Sequence, residues 1–499
     1  MKLPEVVHNR LSYLGAGIAS LALIAIVFLF IINTLVAGGQ APYGGLVIFV
    51  VLPSVLLFGL TLIPIGMLIE RRHLRRTGRR SIPRFPVIDL NNPAERNAGA
   101  IFAVGSVILL FCSVFGSFEA YEATESVAFC GATCHTVMQP EYVTYQHSPH
   151  ARVRCVDCHV GPGADWYVKS KLSGLYQVYA VTFDVFPRPI VGPIKSLRPA
   201  QETCEQCHWP EMFFGGGERH ATHFLSDEHN SPWEIRLIVK TGGGRSPGRA
   251  GAGIHWHMNI GALVEYIATD PARQQIPWMR VTDKRTGAST TYASADNPLS
   301  PEQIAAAEVR TMDCMDCHNR PSHIFRSPSE SLDRALQAGE IDSSLPFVKR
   351  TGVQLLAAQY GSLDEALTAI EKGVQTFYRE NYPDLAAQRQ HDLGRVVSTL
   401  QDIYRQNFFP AMKARWDLYP ANVGHKIFRG CFRCHDGQHR SADGKVVTAS
   451  CTACHVIAAQ GAPDALQFAS QPDGLPFQHP SEVGEAWQAM PCSDCHTGA

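Results

Sequence analysis

The sequence CVDCH, residues 155–159, recurs with different residues between its cysteines, and this repeat decides the fold. The other copies are CEQCH (204–208), CMDCH (314–318), CFRCH (431–435), CTACH (451–455) and CSDCH (492–496), and a lengthened form, CGATCH (130–135), precedes them all. In a CxxCH motif the two thiols bind a haem covalently and the histidine binds its iron from one face. The repeat therefore predicts seven covalently bound c-type haems and an electron-transfer role.

The motifs use fourteen of the fifteen cysteines in the chain. The predicted attachment residues are Cys130, Cys134, Cys155, Cys158, Cys204, Cys207, Cys314, Cys317, Cys431, Cys434, Cys451, Cys454, Cys492 and Cys495, and the adjacent iron ligands are His135, His159, His208, His318, His435, His455 and His496. Zinc binding and thiol redox chemistry also use CxxC pairs, but neither requires a histidine directly after every second cysteine. Cys112 lies in an apolar run outside the motifs, and we expect it to be a buried hydrophobic residue.

The N-terminal quarter has the composition of a membrane anchor. Residues 11–69 contain no charged residue and no histidine, and GGQAPYGG (38–45) marks a turn within this run. Residues 11–37, 46–69 and 97–118 are each long and apolar enough to cross a bilayer as a helix. We therefore predict an anchor domain over residues 1–119. Because the spans contain no histidine, they are not expected to bind b-type haems.

The distribution of positive charge predicts the orientation of this anchor. Lys2 and Arg10 precede the first predicted span. The connection between the second and third spans contains Arg71, Arg72, Arg75, Arg76, Arg79, Arg80, Arg84 and Arg96. Lys and Arg accumulate in cytoplasmic loops, so the N-terminus and this connection should be cytoplasmic. Three crossings would then place the haem motifs on the periplasmic face of a bacterial inner membrane, where c-type haem is attached.

The near-neutral total charge conceals an asymmetry between the two parts of the chain. Residues 1–97 have a formal net charge of +6, and the remaining residues have −7. Haem propionates would make the outer part more acidic, which favours small basic periplasmic c-type cytochromes as partners. No feature of the sequence supports nucleic-acid binding, since membrane topology already explains the arginine-rich connection.

The outer part is predicted to be mainly α, a haem-packed multihaem cytochrome c domain with little strand. About 380 residues must surround seven haems, so the macrocycles should form much of the apolar interior. We divide this part into a four-haem domain (120–328), a helical hairpin linker (329–410) and a three-haem domain (411–499). The linker is predicted from apolar residues at three- and four-residue steps in residues 363–381 and 388–407.

Low-spin haems need a second axial ligand, and the histidines outside the motifs can supply it. The candidates are His150, His323, His425, His439 and His479, one of His220 and His223, and one of His255 and His257, with His223 and His257 selected. His229 and His391 are expected to have structural roles or none. The sequence leaves open which histidine serves which haem. Met138 follows His135 by three residues and is the candidate ligand at the first site, where thioether ligation would raise the potential.

Four sequence segments resemble the NapC/NirT/NrfH family of membrane-anchored multihaem quinol dehydrogenases. They are FCGATCHTVM, the SPH that precedes CVDCH, CEQCH and CMDCHNRPSH, and they lie within residues 129–325. The resemblance implies that the first haem lies at the membrane surface, has a methionine ligand and receives electrons from menaquinol or ubiquinol. It also implies that Met138 serves the first haem and that His150 and His323 are distal ligands of others.

The resemblance further implies a quinol site with a lysine and an acidic residue after the second motif. That segment reads DWYVKSKLSGLYQVY (165–179) and offers Lys169 and Lys171. Its aromatic residues suit a helix in the membrane interface. Gln177 stands where the acid is expected, so Asp184 and Glu141 are the substitutes for the proton-accepting role. The alternative is that both lysines only contact lipid phosphates.

The chain departs from that family in three ways: it has three predicted spans instead of one, a lengthened first motif, and three further haem motifs after the hairpin. In these respects it is similar to longer seven-haem inner-membrane cytochromes of metal-respiring bacteria. We predict an inner-membrane quinol dehydrogenase, an oxidoreductase that passes electrons from quinol to periplasmic acceptors in respiration. The alternative is an electron conduit fed by another membrane subunit. A terminal reductase is disfavoured, because no CxxCK variant is present.

Overall fold

The computed structural model describes the chain in several stretches and separates it into two compact units. The described residues are 7–35, 51–77, 89–133, 135–161, 163–190, 192, 198–209, 213, 215–242, 253–257 and 262–499. The units are Met1–Met138 and Gln139–Ala499. Several predictions concern parts of the chain outside the described residues. These parts are Lys2, the predicted turn at 38–45, the adjoining ends of the first two predicted spans, Arg79, Arg80, Arg84, Cys134 and the side chains of Cys112 and His135.

Three long apolar helices lie in the described part of the first unit, as predicted. They are α1 (Arg10–Leu35), α2 (Leu52–Arg76) and α3 (Pro93–Glu125). Each contains a stretch long and apolar enough to cross a membrane. Helix α3 begins four residues earlier than the predicted span, because Asn92 caps it by accepting a hydrogen bond from the Ala94 N–H at 3.0 Å and Pro93 occupies its first turn.

Small residues let α1 and α2 pack closely against each other. Gly15 of α1 and Gly59 of α2 face one another, and a Cβ at Gly59 would lie 2.7 Å from the Ala19 backbone nitrogen. The Ser12 hydroxyl also donates a hydrogen bond to the Ile63 carbonyl at 3.0 Å. Close backbone approach at small residues is a common basis of helix association in membranes. The two helices therefore form a packed pair.

The second unit contains short helices near the motifs and a group of longer helices in its middle. The helices are α4 (His135–Gln146, which begins in the first unit), α5 (Cys155–His159), α6 (Ala164–Thr182), α7 (Ala200–Thr203), α8 (Pro301–Ala306), α9 (Cys314–Cys317), α10 (Pro328–Gln337), α11 (Val348–Ala357), α12 (Leu363–Asn381), α13 (Pro383–Gln388), α14 (Gln390–Asn407), α15 (Ala486–Ala489) and α16 (Cys492–Cys495). A short 3₁₀ turn at Ile254–His257, here called the IHWH turn, lies between two strands.

The expectation of little strand is not supported, because the described residues of the second unit form two antiparallel sheets. The strands are β1 (Gly217–Phe224), β2 (Pro232–Val239), β3 (Ala262–Ile267), β4 (Trp278–Asp283), β5 (Ser289–Ser294), β6 (Arg310–Thr311), β7 (His439–Ser441), β8 (His455–Gly461) and β9 (Gln467–Phe468). One sheet has the order β1-β2-β8-β9 and the other β6-β3-β4-β5-β7. Strand β2, PWEIRLIV, shows the reason: aromatic and β-branched side chains fit a pleated, half-buried surface.

Both sheets combine strands from the two ends of the second unit. Strand β2 pairs with β8, and β5 pairs with β7. The segment before the central helices and the segment after them therefore share hydrogen-bonded sheets. This arrangement brings the last three motifs next to the earlier ones, although a long helical stretch separates them in sequence.

The central helices α10 to α14 have their own apolar core. In α12 the buried residues recur every four positions, at Ala366, Ile370, Val374 and Tyr378, which follows the periodicity of the sequence. Ser362 caps the start of helix α12, because its hydroxyl accepts a hydrogen bond from the Glu365 N–H at 3.2 Å. The predicted hairpin segments are thus helices α12 and α14, with α13 between them.

Candidate functional site: histidine pairs at the cysteine motifs

Each of the six CxxCH motifs folds into a single tight turn that brings its cysteines and histidine together. In four motifs the backbone N–H of the histidine donates a hydrogen bond to the backbone carbonyl of the first cysteine. These histidines are His208 (2.8 Å), His318 (2.7 Å), His435 (3.1 Å) and His496 (2.9 Å). The lengthened first motif instead contains a π-helical turn, Phe129–Thr133. A π turn includes one more residue per hydrogen bond than an α turn, which accommodates the extra residue of CGATCH.

All six motif histidines whose side chains the structure describes lie opposite a second histidine. The distances between ring centres are 6.1 Å for His208–His150, 6.2 Å for His159–His323, 6.5 Å for His318–His255, 5.9 Å for His435–His257, 6.2 Å for His455–His425 and 6.0 Å for His496–His479. An iron bound by two opposite imidazoles lies about 2 Å from each nitrogen, which places the ring centres about 6 Å apart. The residues therefore fit a haem at each of these six sites.

Hydrogen bonds orient five of the six opposing rings. In each of them Nδ1 lies within hydrogen-bond distance of a backbone carbonyl: His150 of Pro321 (3.3 Å), His323 of Glu141 (2.9 Å), His255 of Thr241 (2.6 Å), His257 of Ile254 (2.8 Å) and His479 of Ser481 (2.8 Å). A carbonyl only accepts, so in the first four rings Nδ1 holds the proton and Nε2 keeps its lone pair. At His479 the Ser481 N–H also donates to Nδ1, at 3.2 Å. In the sixth pair, the Nδ1 atoms of His425 and His455 are buried without a hydrogen-bond partner.

Burial favours the neutral form of these imidazoles, which is the form that binds a metal. Burial lowers the pKa of His323 to about 4, although the hydrogen bond to the Glu141 carbonyl opposes this shift. It also lowers the pKa of His159, His257 and His425. The shifts at these four histidines therefore favour the uncharged ring.

Two of the histidines selected from the sequence are not opposite a motif histidine. His439 is 2% exposed; its Nδ1 lies 2.8 Å from Asp436 Oδ1 and its Nε2 lies 2.7 Å from the Ile276 carbonyl. Burial lowers its pKa, but the bonds to Asp436 and Ile276 outweigh this and raise it above the ordinary value. Both ring nitrogens of His439 therefore have hydrogen-bond partners within the protein. His223 has its Nδ1 3.1 Å from Asp333 Oδ2.

The sequence offered His255 and His257 as alternatives, whereas the structure places both opposite motif histidines. They lie on the IHWH turn, two residues apart. A 3₁₀ helix has three residues per turn, so the side chains of residues two positions apart point in different directions. One turn can therefore supply ligands to two neighbouring sites, and this HxH spacing on a tight turn is the signal that the sequence contained.

Neighbouring cysteines show that the sites from the second to the seventh follow one another in space. Cys158 of the second site interacts electrostatically with Cys204 of the third, and Cys204 is hydrogen-bonded to Cys314 of the fourth. Cys317 interacts with Cys431 of the fifth site. The remaining links are Cys454 with Cys431 and Cys492 with Cys451. From the second to the seventh site, cysteines of consecutive motifs are therefore neighbours.

Helix α6 holds the predicted quinol-site lysines. The Lys169 Nζ lies 4.6 Å from the centre of the Trp166 ring, and the Lys171 Nζ lies 4.7 Å from that of Tyr167. One face of α6 is apolar and more than half exposed at Val168, Leu172, Leu175 and Tyr179. These positions recur at three- and four-residue steps, as in a helix that lies in a membrane interface.

The three residues considered for the proton-accepting role differ in their surroundings. Gln177 is exposed on α6, and Asp184 is paired with Arg188 at the surface. Glu141 is largely buried, and its Oε2 lies 3.4 Å from Arg320 Nη2. Burial raises the pKa of Glu141, and the Arg320 charge opposes that rise.

An apolar helical anchor followed by haem-type motif turns defines a membrane-anchored cytochrome c electron-transfer protein. Residues 92–189 match the N-terminal region of the NapC/NirT cytochrome c family. Over 494 residues the chain is 42% identical to the cytochrome c-type protein ImcH of Geobacter sulfurreducens, covering 98% of this chain and 95% of that protein. The chain therefore belongs to the NapC/NirT family of membrane cytochromes, and it is ImcH-like.

A second relative covers only the region of the first motifs. The cytochrome c-type protein NrfH of Wolinella succinogenes is 30% identical over 117 residues, which are 21% of this chain and 66% of that protein. No solved structure matches the chain. These likenesses confirm the family resemblance recognised in the motifs, and they support covalently bound haem and an inner-membrane location.

Proposed function

We propose that the chain binds seven haems, one at each motif, and that six of them have two histidine ligands. Haem supplies one-electron chemistry at its iron when bound. The ligand pairs would be His159/His323, His208/His150, His318/His255, His435/His257, His455/His425 and His496/His479, numbered here as the second to the seventh site. Ring separations of 5.9–6.5 Å at all six support this assignment. We do not propose His439 or His223 as ligands.

At the first site we propose His135 and Met138 as the candidate ligands. Both belong to helix α4, three residues apart, and residues at that spacing lie on the same face of a helix. Met138 is partly buried. One of the two would bind the iron, and Met138 would give the first haem a potential different from the six histidine-ligated haems.

We propose that the protein oxidises quinol beside α6 and passes the electrons along the haem sites to a periplasmic acceptor. Oxidation of a quinol to the quinone releases two electrons and two protons. The electrons would be taken up one at a time by haem irons held at the motifs, and the protons would go to solvent. Lys169 and Lys171 would orient the quinol hydroxyls. The exposed apolar face of α6 beside these two ammonium groups is the observation that supports the proposal most strongly.

The proposed orientation has the N-terminus in the cytoplasm and Gln139–Ala499 in the periplasm. Arg71, Arg72, Arg75 and Arg76 form the C-terminal end of α2, and positive residues at a span end favour the cytoplasmic side. Quinol in the membrane would then reach α6 from the bilayer, and the protons would be released on the periplasmic side.

The quinol proposal predicts that a Lys169→Gln/Lys171→Gln variant loses fast reduction by quinol. Removing both ammonium groups takes away the donors that would hold the hydroxyl oxygens, and we expect the rate to fall by about 100-fold or more, the scale of one or two lost hydrogen bonds to charged groups. Oxidised protein in detergent is mixed with a reduced menaquinol analogue, and haem absorbance is followed by stopped flow.

The matched control is Lys284→Gln/Lys372→Gln, which removes two exposed lysines away from α6 and should reduce at the wild-type rate. If wild-type haems stay oxidised with quinol but reduce with dithionite, the conduit fed by another membrane subunit replaces the quinol proposal. If the lysine variant reduces as fast as wild type, quinol oxidation does not depend on this site.

We also propose that electrons leave from the seventh site to a basic c-type cytochrome. Residues 446–499 contain five acidic residues and no Lys or Arg. Glu482 and Glu485 are exposed, and they lie three and six residues after His479, the proposed ligand of the seventh haem. Val483 and Met490 are exposed apolar residues in the same segment. Acidic and apolar groups around an electron-donating site suit a partner with lysines around its haem.

A Glu482→Gln/Glu485→Gln variant should therefore transfer electrons more slowly to a basic cytochrome. Loss of charge complementarity acts mainly on the association rate. We therefore expect the rate of electron transfer to fall by about 3- to 10-fold at low ionic strength, and this difference from wild type should shrink as salt is added. Laser-flash or stopped-flow kinetics at several salt concentrations measure it. The control Glu371→Gln/Glu380→Gln changes the net charge equally on α12 and should have no effect. Equal slowing in both variants would contradict a docking surface at the seventh site.

A further inference from the structure

Arg433 lies between the two cysteines of the fifth motif, yet its side chain points into the protein. It is 7% exposed, which is unusual for the variable position of a surface turn. Its Nη2 donates a hydrogen bond to the Asp316 carbonyl at 2.6 Å. Asp316 lies between the two cysteines of the fourth motif. The attachment turns of the fourth and fifth sites are therefore joined through this guanidinium group.

All three nitrogens of the Arg433 guanidinium are satisfied by neutral backbone carbonyls. Besides the bond to Asp316, Nη1 donates to the Arg273 carbonyl at 2.9 Å and Nε donates to the Gly430 carbonyl at 2.8 Å. These bonds hold the group in place without neutralising its charge. A buried charge with only dipolar partners acts strongly on nearby groups, because little water screens it.

The carboxylates near Arg433 are engaged by other groups. The Asp316 carboxylate is 1% exposed, and its Oδ1 accepts hydrogen bonds from Tyr266 Oη at 2.5 Å, Arg310 Nε at 3.0 Å and Arg273 Nη1 at 3.3 Å. Asp313 lies 3.4 Å from Arg310 Nη2. The hydrogen bonds of the Arg433 guanidinium go instead to backbone carbonyls, so its own charge remains between the two sites.

Arg433 lies next to the attachment cysteines of both sites. It directly precedes Cys434 of the fifth motif, and the Asp316 carbonyl that accepts its hydrogen bond directly precedes Cys317 of the fourth motif. A fixed positive charge at this position favours the reduced state of an iron bound nearby.

We propose that Arg433 sets the redox potentials of the fourth and fifth haems, raising both so that they accept electrons as a pair. Reducing ferric iron to ferrous adds one electron to a site, and a fixed positive charge nearby stabilises that state. Arg433 is a positioning residue, since it would act on the irons without binding them. The inference rests on the proposed haem ligation at His318/His255 and His435/His257, but not on quinol oxidation.

The test is a spectroelectrochemical titration of the full-length protein in detergent. In Arg433→Gln, we expect the absorbance change of two of the seven haems to shift to lower potential, while the other five titrate as in wild type. Arg433→Lys keeps the charge and should restore most of the shift. Asp316→Asn removes a negative charge from the same cluster, so it should shift potentials in the opposite direction.

The matched control is Arg429→Gln, which removes an exposed arginine four residues away. Solvent screens the charge of Arg429, so the redox titration of Arg429→Gln should match that of wild type. Haem-to-protein ratios verify that each variant is fully loaded; if Arg433→Gln loses haem, Arg433→Lys and Asp316→Asn decide the question. Unchanged potentials in fully loaded Arg433→Gln, or shifts of the same sign in Arg433→Gln and Asp316→Asn, would overturn the proposal and leave quinol oxidation unaffected.

Discussion

Replacing His257 with alanine is expected to leave the fifth haem attached but convert it from low spin to high spin. The thioether bonds through Cys431 and Cys434 do not involve the distal ligand, so the haem content should be unchanged. The iron loses its second imidazole, which leaves an open axial position. One haem of the seven should therefore acquire a high-spin absorption band and bind carbon monoxide after reduction. Electronic absorption and electron paramagnetic resonance spectra measure both changes.

The two histidines of the IHWH turn provide an internal comparison. His255→Ala should produce the same change at the fourth haem, and the double variant should produce two high-spin haems, because each ring faces a different motif histidine. His229→Ala changes an exposed histidine that faces no motif and should leave the spectra unchanged. A His257→Ala protein that keeps all its haems low spin would exclude His257 as a ligand.

Replacing Lys349 with methionine is expected to destabilise the central helices severely. Lys349 is 2% exposed, and its Nζ donates hydrogen bonds to Asp333 Oδ1 at 2.5 Å and to the Ser329 carbonyl at 2.6 Å. Asp333 also accepts a bond from the Phe224 N–H of β1 at 2.9 Å. Removing one partner leaves a buried charge uncompensated, which costs about 3–5 kcal/mol. Urea-induced loss of helical circular dichroism measures the change.

Matched variants distinguish the loss of stability caused by breaking the buried Lys349–Asp333 pair from the loss caused by removing any charge. Arg405→Met breaks the exposed pair with Asp402 on α14 and should cost less than about 1 kcal/mol. Lys349→Met/Asp333→Leu removes both buried charges and should recover much of the lost stability. Similar losses in Lys349→Met and Arg405→Met would contradict the role given to the buried pair.

The buried pair also predicts how stability depends on pH. Burial raises the pKa of Asp333, but hydrogen bonding by His223 and the Lys349 charge outweigh this and hold the pKa below 3.8. The pKa of Asp333 is therefore lower in the folded state than in the unfolded state. Its contribution to stability is present at pH values above the ordinary carboxyl pKa and is lost as the pH falls through the pKa of the folded state. Urea unfolding below about pH 4 should show that the free energy of unfolding falls more steeply with decreasing pH in wild type than in Lys349→Met/Asp333→Leu.

The motif turns and apolar helices are the parts of the structure that the sequence reveals directly. A CxxCH turn is set by local hydrogen bonds, such as that from His318 N–H to the Cys314 carbonyl, and the spans are set by composition. Helix α12 was likewise visible, because its buried residues recur every four positions. These features depend on neighbours within a few residues, so no knowledge of the tertiary fold was required.

The sheets and the histidine pairing depend on contacts between distant parts of the chain. Strand β8 pairs with β2 across more than 200 residues, and neither periodicity nor the motifs indicated that pairing. His439 follows its motif closely enough to suggest ligation, but the Ile276 carbonyl occupies its Nε2. That carbonyl precedes β4, whose position could not be inferred without the sheet. The choice between ligand and structural histidine therefore required the fold.

The central claim is that six pairs of histidines each bind one haem iron and that only the first site can differ. Its most direct test combines a haem-to-protein ratio with near-infrared magnetic circular dichroism of the oxidised wild-type protein, which distinguishes axial ligands. The account predicts seven haems per chain, six of them with two histidine ligands. Fewer than seven haems, or more than one haem without two histidine ligands, would contradict it.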